Sequence, residues 1–111
     1  SNQKDEFRGG RKADRLHGKG GDDVIHGGHG DDTIRGGTGD DIIDGGSGVN
    51  LLHGGPGSDT FLLDNKGIQI IYDFDPIHDI LQLDSSHARE DITMNKKGKI
   101  FHNEDMIAHI I

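Results

Sequence analysis

Aspartates recur at a fixed spacing behind pairs of glycines, and carboxylates in such places can hold a metal ion. Residues 27–44 read GGHGDDTIRGGTGDDIID, which is one nine-residue phrase written twice. Glycine turns bring backbone carbonyl oxygens together, and a carboxylate two residues later can close the same shell. A hard cation such as Ca²⁺ takes about six to eight oxygen ligands at roughly 2.3–2.6 Å. The phrase therefore indicates a set of oxygen ligands.

Six such nonapeptides follow one another without a gap over residues 9–62: GGRKADRLH, GKGGDDVIH, GGHGDDTIR, GGTGDDIID, GGSGVNLLH and GGPGSDTFL. Position six holds Asp14, Asp23, Asp32, Asp41, Asn50 and Asp59, and position eight holds Leu16, Ile25, Ile34, Ile43, Leu52 and Phe61. A Gly-rich disordered linker is the alternative on composition, but a linker has no reason to keep an acid and an aliphatic residue in fixed phase. The period therefore predicts a repeat architecture.

Each nonapeptide predicts a glycine turn followed by a three-residue strand. The last three residues alternate outward, inward and outward, so position eight points inward. One such strand cannot bury its aliphatic side chain alone, whereas stacked units bury a continuous ladder that ends at Phe61. We therefore expect an all-β solenoid, with residues 1–8 as an N-terminal flank, 9–62 as the repeats and 63–111 as a C-terminal β capping segment.

The composition favours a metal as a source of stability. Only 30% of the residues are hydrophobic and 19 are glycine, so apolar burial offsets little of the backbone entropy. The absence of cysteine excludes disulfides and thiolate sites. The formal charge of −8 argues against nucleic acid as a partner and, with no long apolar run, against insertion of this segment into a membrane.

The repeats from Gly18 to Leu62 resemble the RTX repeats of bacterial secreted proteins, whose pattern is G-G-x-G-x-D-x-U-x. This resemblance implies a right-handed parallel β-roll in which two nonapeptides make one turn and several Ca²⁺ ions lie along both edges. It also implies an extracellular bacterial location, and a larger parent polypeptide such as a toxin, protease, lipase or adhesin. Partners in that setting include calcium and the type I secretion machinery.

The resemblance further implies four ligand sets of backbone carbonyls and position-six side chains. One edge would use Lys19, Gly21 and Asp23 with Gly36, Thr38 and Asp41, and then Gly37, Gly39 and Asp41 with Gly54, Pro56 and Asp59. The other edge would use Gly10, Lys12 and Asp14 with Gly27, His29 and Asp32, and then Gly28, Gly30 and Asp32 with Gly45, Ser47 and Asn50. We expect the first edge to bind more tightly, because Lys12 replaces a glycine and repels a cation, and Asn50 is neutral.

The segment after the repeats is more apolar and predicts strands. Residues 68–83 resemble the D-F-x-x-G-x-D-x-I/L flank of RTX repeats, although Ile77 stands where a glycine is common. Asp79 is expected to reach a terminal metal together with Asp59. Residues 92–111 predict three strands joined by Lys-Lys-Gly and Asn-Glu-Asp turns.

Several residues outside the ligand sets leave alternatives open. The position-five acids Asp22, Asp31 and Asp40 are expected to be solvated and not to ligate. Paired carboxylates also occur in acid–base catalysis, but serial repetition favours a chain that is not an enzyme. The dipeptide at 75–76, Asp-Pro, is expected to be a turn, and calcium-triggered self-cleavage there is the alternative.

The histidines and two aliphatic residues are expected on the outer faces. His17, Arg35 and His53 would share one face and His26 the other, either as solvated residues or as weak surface sites for Zn or Ni. Val24 and Ile42 would form an exposed apolar pair that another segment or a partner covers.

The sequence therefore predicts a module that folds on binding Ca²⁺ and serves a larger secreted protein. Two other classes stay open. One is a ligand-binding module, such as one that grips polysaccharide for an attached enzyme. The other is a domain with intrinsic catalytic activity.

Overall fold

The computed structural model describes residues 6–63, 67–75, 77–83, 92–94, 98–102 and 105–111, which contain twelve β-strands and no helix. The strands are β1 (Glu6–Arg8), β2 (Arg15–His17), β3 (Val24–His26), β4 (Thr33–Arg35), β5 (Ile42–Asp44), β6 (Gly48–His53), β7 (Thr60–Leu63), β8 (Gly67–Ile71), β9 (Ile80–Leu83), β10 (Ile92–Met94), β11 (Lys99–His102) and β12 (Asp105–Ile110). None of the described residues belongs to a helix that could cross a membrane.

From β1 to β9 the chain alternates between two sheets, and each strand up to β7 pairs with the strand two places along. One sheet has the order β1-β3-β5-β7-β9 and is parallel throughout, and the other has the order β10-β11-β12-β8-β6-β4-β2. Residues eighteen apart are neighbours within the repeats, as Val24 and Ile42 are. Two nonapeptides therefore make one turn, and the predicted all-β solenoid, a β-roll of about four turns, is confirmed.

Glycine is required in the turns because the backbone there is left-handed. Positions two and four of the later repeats have positive φ, as at Gly37 (φ 90°) and Gly39 (φ 99°). Lys19, at position two of its repeat, adopts φ 70° with a side chain attached, which costs about 1–2 kcal/mol relative to glycine. Gly10 and Lys12 are not among the residues with positive φ, so the first turn has a different backbone.

The core is a single file of inward side chains, one from each strand. Ile25, Ile34, Ile43, Leu52, Phe61 and Ile71 are completely buried. Phe7 and Leu16, at one end of the file, are partly buried against this cluster. Position eight therefore points inward as predicted, and β1 adds a rung at residues that we treated as a flank, since Phe7 pairs with Ile25.

Phe61 does not end the ladder, so the expectation of a terminal rung was wrong. Leu81 of β9 is its register partner, and the ring of Phe74 lies 6.2 Å from its ring. Beyond Phe61 the spacing between paired residues changes: Leu52 pairs with Ile71, and Phe61 pairs with Leu81. The strict nonapeptide period ended at residue 62, but the stacking of strands continues beyond it.

The C-terminal strands extend the seven-stranded sheet. β12 pairs in parallel with β8, and β11 and β10 follow in antiparallel order. Leu63, Ile100, Ile107 and Ala108 form a second buried cluster. The three strands lie where the sequence predicted them, whereas their role as a cap stays a prediction. The two turns predicted between them, and Pro76, fall wholly or partly outside the described residues.

Candidate metal centres along the edges of the roll

The position-six side chains form two columns, one along each edge where the chain turns between sheets. We call the column of Asp23, Asp41, Asp59 and Asp79 the Asp41 edge, and the column of Asp14, Asp32, Asn50 and Gln69 the Asp32 edge. Of these eight residues, all except Asp14 are buried. Both columns therefore lie mostly inside the turns and not on the solvent side, and the Asp41 edge consists of carboxylates alone.

One oxygen of each carboxylate is fixed by the preceding turn. The Oδ1 atom accepts a hydrogen bond from the backbone N–H of the position-six residue eighteen places earlier, as Asp41 Oδ1 does from Asp23 at 2.9 Å. The same bond joins Asp14 to Asp32, Asp32 to Asn50 and Asp41 to Asp59 at 2.8–2.9 Å. Each carboxylate is thus clamped, and its second oxygen has a defined direction.

That second oxygen lacks a hydrogen-bond donor at three positions. The Oδ2 atoms of Asp32, Asp41 and Asp59 are buried and have no hydrogen-bond partner among the described residues. A buried ionised oxygen without a donor costs several kcal/mol unless a cation or a proton neutralises it. These three atoms therefore point to bound positive charge.

A backbone carbonyl of the next turn meets the same space. A Cβ added to Gly36 would lie 2.5 Å from Asp41 Oδ2 and 2.8 Å from the carbonyl oxygen of Gly54. The position-one glycines before it show the same cradle: a Cβ on Gly18 would meet Asp23 Oδ2 at 2.5 Å and Gly36 O at 2.7 Å, and one on Gly27 would meet Asp32 Oδ2 at 2.6 Å and Gly45 O at 2.5 Å. Carboxylate and carbonyl oxygens thus converge, which is the donor chemistry that Ca²⁺ prefers.

Side chains alone do not make these cradles. Among the residues that the structure describes, no three His, Cys, Asp or Glu side chains come together as a metal site. The carbonyl oxygens of the glycine turns, which stack on one another from turn to turn, supply the other donors: Gly21 O lies against Gly39, and Gly37 O lies 2.5 Å from a Cβ added to Gly55. An ion here would be held mostly by backbone.

The structure brings together the predicted ligand sets to different extents. On the Asp41 edge, Asp23, Gly36 and Asp41 converge, and so do Asp41, Gly54 and Asp59. On the Asp32 edge, Asp32 Oδ2 and Gly45 O converge, and Asn50 Oδ1 accepts the Asp32 N–H at 2.9 Å. The carbonyl of Lys19 lies against Gly37 despite the left-handed backbone.

The set built on Gly10, Lys12 and Asp14 differs from the others. Asp14 Oδ2 shares a cradle with Gly27 O, but it accepts a hydrogen bond from Gly10 N–H at 2.8 Å. Gly10 and Lys12 also lack the positive φ of the later turns. A turn that already satisfies its carboxylate has less need of a cation.

Hydrogen bonds also engage carbonyls and side chains on the Asp32 edge. Gly10 O accepts from His29 N–H at 2.9 Å, and Gly28 O accepts from Ser47 N–H at 3.1 Å. The His29 ring lies 2.8 Å from Ser47 Oγ. The position-three residues Thr38 and Pro56 of the other edge are exposed, and ligation by their carbonyls stays a prediction.

Asp79 lies where the sequence placed it, next to Asp59. Asp79 Oδ1 accepts the Asp59 N–H at 2.8 Å, and Oδ2 accepts the Asp75 N–H at 2.8 Å. The corresponding residue on the Asp32 edge is Gln69, which sequence reasoning missed. Counting back two residues from the inward Ile71 would have found it, as the same count from Leu81 finds Asp79.

Burial changes the acidity of these carboxyls. Loss of solvent, reinforced by the nearby charge of Asp23, raises the pKa of Asp41 to about 6. The same burial, with the charges of Asp41, Asp79 and Asp73 adding to it, raises the pKa of Asp59 to about 8, and burial likewise raises the pKa of Asp32. Burial therefore favours the protonated forms of Asp32, Asp41 and Asp59 when no cation neutralises them.

The repeated geometry matches a known sequence family. A family model described as RTX calcium-binding nonapeptide repeat (4 copies) matches residues 2–33 and 26–61, which together are more than half of the chain. The chain belongs to this RTX family. No curated protein matches the chain.

Membership of the RTX family points to calcium as the cation that these repeats bind. The family binds calcium, and the all-oxygen donor set with three buried unpartnered Oδ2 atoms fits that ion. The resemblance stated from the sequence is thereby confirmed at the level of the family and the fold. The individual ligand assignments stay predictions.

The position-five acids of the RTX repeats have a separate role. Asp22, Asp31 and Asp40 are exposed, and their Oδ1 atoms accept backbone N–H groups eighteen residues on, at 2.7–2.8 Å. They thus tie neighbouring turns together from the solvent side.

The outer faces carry the residues predicted for them. His17, Arg35 and His53 are register neighbours on the seven-stranded sheet, and His26 lies on the other sheet, 3.4 Å from Asp44. Val24 and Ile42 are also neighbours, and Ile42 is 39% exposed.

Replacement of Gly36 by alanine tests the cradle. We expect Gly36→Ala to weaken calcium-dependent folding by at least about tenfold in the calcium midpoint, because the methyl group would displace Asp41 Oδ2 and Gly54 O. Far-UV circular dichroism during a calcium titration measures this midpoint. Gly10→Ala is the control, since a Cβ there meets nothing within 4 Å. Equal midpoints for the two variants would rule the cradle out.

Acidification tests the buried carboxyls. A carboxyl with a raised folded-state pKa stabilises the metal-free fold most below its unfolded value of 3.8, and this stability is lost as the pH rises through about 6 for Asp41 and about 8 for Asp59. In chelator, the folded fraction measured by circular dichroism should therefore rise from about pH 8 to about pH 5. Saturating calcium should remove this dependence, because the carboxylates are then ionised at both values. An equal pH response with and without calcium would show that the buried carboxyls do not cause the pH dependence.

Proposed function

We propose that this chain is a calcium-triggered folding module within a larger extracellular bacterial protein. The supporting observation is the buried Oδ2 atom of Asp32, Asp41 and Asp59, which has no hydrogen-bond partner among the described residues. At Asp32 and Asp41 a carbonyl of the next turn reaches the same space. The proposal assigns the four predicted ligand sets, together with Asp79, as the places where the chain holds calcium. The set containing Lys12 is the weakest of them.

The chain's own residues explain why folding depends on the ion. Without calcium, stacking the turns buries carboxylates beside one another, and the left-handed glycines favour the open chain. With calcium bound only by the stacked form, the binding free energy adds to the folding free energy. The apolar ladder contributes only one side chain per strand. The turns therefore decide whether the folded form is stable.

Asp41 carries the largest share in this proposal because it belongs to two ligand sets. Its Oδ1 faces the earlier turn and its Oδ2 the later one. Asp59 plays the same double part if Asp79 closes a terminal set at the end of the repeats. On the Asp32 edge the neutral Asn50 lowers the charge, so calcium binding there is weaker.

Calcium is scarce in the cytosol and abundant outside the cell, so a fold that needs calcium would form only outside. We propose that the chain passes unfolded through a type I secretion machine and folds outside, where it stabilises a parent toxin, protease, lipase or adhesin. The RTX family supports this setting. In this proposal the chain is a structural and secretion-assisting part and has no catalytic residues of its own.

A calcium titration of the 111-residue chain tests the proposal. Far-UV circular dichroism should show a gain of β structure on adding Ca²⁺, and Mg²⁺ should substitute poorly because it demands a tight octahedral site. Asp41→Asn keeps an oxygen for the Asp23 N–H but removes the charge, so the calcium midpoint should rise at least about tenfold. Asp40→Asn is the matched control on the exposed side, with little change expected. Full β structure in chelator, unaltered by Ca²⁺, would refute calcium-triggered folding.

A second candidate function, binding of an anionic polysaccharide, is favoured by the outer face of the seven-stranded sheet. Arg15, His17, Arg35 and His53 lie there, and a groove of about 390 Å³ is lined by Arg15, Leu16, His17, Thr33 and Arg35. Neither arginine forms an ion pair with any residue that the structure describes. Tyr72 stacks on His53 with the ring centres 4.9 Å apart. Cationic and aromatic groups on an acidic protein suit a sugar chain that carries carboxylates.

Binding to a polyuronate tests this second function. With calcium present, Arg35→Ala should weaken retention of the chain on immobilised polyuronate severalfold, and added salt should weaken it further. Arg8→Ala is the control, since Arg8 is exposed on the other sheet and paired with Glu6. Equal retention of both variants, or equal retention on a neutral glucan, would exclude this face as the binding site.

A further inference from the structure

The last rung of the Asp32 edge is built from two amides where other rungs have carboxylates. Asn50 and Gln69 are both buried to within 1%. Asn50 Nδ2 donates to Gln69 Oε1 at 3.2 Å, and Gln69 Nε2 donates to the carbonyl of Gly46 at 2.9 Å. Asn50 Nδ2 also lies 3.2 Å from Gly46 O and 3.4 Å from Ser47 O. We call Asn50 and Gln69 the amide pair.

The amide pair occupies the space that the carboxylate rungs leave for a cation. A Cβ added to Gly45 would meet Gln69 Oε1 and, at 2.8 Å, Asn50 Nδ2. At the equivalent Gly36 the corresponding atoms are a carboxylate oxygen and a backbone carbonyl. The side-chain N–H groups of Asn50 and Gln69 thus donate to turn carbonyls. In a metal site, carbonyls in such positions would contact a cation instead.

The hydrogen-bonding needs of this rung are met without an ion. Neither Asn50 nor Gln69 leaves a buried side-chain oxygen or nitrogen without a partner, in contrast to Asp32, Asp41 and Asp59. Neutral amides also avoid the repulsion between buried carboxylates. Stacking of this turn on the next one therefore carries no electrostatic cost that calcium must offset.

The strands joined by the amide pair are the most extensively paired of the parallel strands. β6 and β8 match over five residue pairs, from Gly48 with Gly67 to Leu52 with Ile71. β12 then pairs with β8, and the buried cluster of Leu63, Ile100, Ile107 and Ala108 lies beyond it. This cluster is apolar throughout, so its stability does not depend on a cation.

We propose that the amide pair replaces a calcium ion, and that it makes the neighbourhood of β6, β8, β11 and β12 a calcium-independent template on which the repeats of residues 9–44 fold. The inference rests on the proposed function for the repeats themselves. Calcium then adds turns to an existing end, and the costly first step of ordering a stack is already complete.

Hydrogen exchange followed by mass spectrometry tests the template in the full 111-residue chain. In chelator, peptides covering 48–53, 67–71 and 105–110 should exchange at least about tenfold more slowly than peptides covering 15–44. Calcium should then slow exchange in 15–44. If calcium slows exchange nowhere, the proposed function of the repeats fails. If chelator leaves the whole chain equally fast and calcium protects it all, only the template is refuted.

Gln69→Glu tests the amide pair itself with almost no change of shape. The glutamate loses the donor to Gly46 O and brings a buried charge, so the protection of 48–53 and 67–71 in chelator should fall at least about tenfold. Calcium should restore it, which separates this effect from a general loss of folding. Gln82→Glu, the same change at an exposed site in β9, should leave the protection as it was. If the Gln69→Glu variant exchanges in chelator as slowly as the unaltered chain, the amide pair does not hold β6 and β8 together.

A double variant tests the same rung by a gain of binding. Asn50→Asp with Gln69→Glu gives this rung the two carboxylates of the Asp41 edge, so equilibrium dialysis should find one more calcium ion per chain than the unaltered protein binds. An unchanged number of ions would show that something other than the amides keeps calcium out of this rung. It would refute the proposal that the amide pair replaces a calcium ion.

Discussion

The repeats hold together through one contact that recurs at Asp23, Asp32 and Asp41: a buried carboxylate whose second oxygen shares the space in front of the turn with a carbonyl of the following turn. At Asp41 the clamp is the Asp23 N–H, and the facing carbonyl is that of Gly54. Two oxygens in such proximity repel each other unless positive charge lies between them. The geometry of the turns is therefore favourable only when a cation or a proton neutralises the carboxylates, and the apolar ladder compensates little because it contributes one side chain per strand.

The same contact explains the glycines. Position one must lack a side chain because the carboxylate and carbonyl oxygens occupy that volume, and positions two and four because the backbone there is left-handed. Lys19 shows that a side chain at position two is tolerated when only its carbonyl faces the cradle. Lys12, at position four, coincides with a turn of different backbone. The tolerance of each position thus follows from which atom it presents to the interior.

Much of this fold was accessible from the sequence because two columns kept one period. An acid at position six and an aliphatic at position eight were enough to predict the turns and the inward ladder, whereas the pairing of Asp23 with Asp41 came from the resemblance to RTX repeats. The prediction failed where the period ended: Phe61 read as a final rung because no ninth-residue signal follows it, yet β9 continues the stack. Gln69 was missed for the same reason, since its role depends on a shifted register with β6 and on an amide that no acid-based pattern contains.

The two edges therefore end differently. One finishes in carboxylates at Asp59 and Asp79, and the other in the neutral amides of Asn50 and Gln69. The two sides of the roll therefore differ in charge at the last rung, although their repeats are alike. Under our two proposals, the edge that is richer in charge gains most from calcium, and the edge that is poorer keeps its last turn closed without calcium.

The register itself has an evolutionary consequence. Within the repeats each residue meets its neighbour eighteen positions on, whereas the final pairings skip nineteen positions at Leu52 with Ile71 and twenty at Phe61 with Leu81. A duplication of eighteen residues inside the array leaves each loop next to an equivalent loop. The number of repeats can therefore change there without altering the register. The final coil has a different register, so an eighteen-residue duplication there would not preserve the pairing. It therefore marks the end of the regular array.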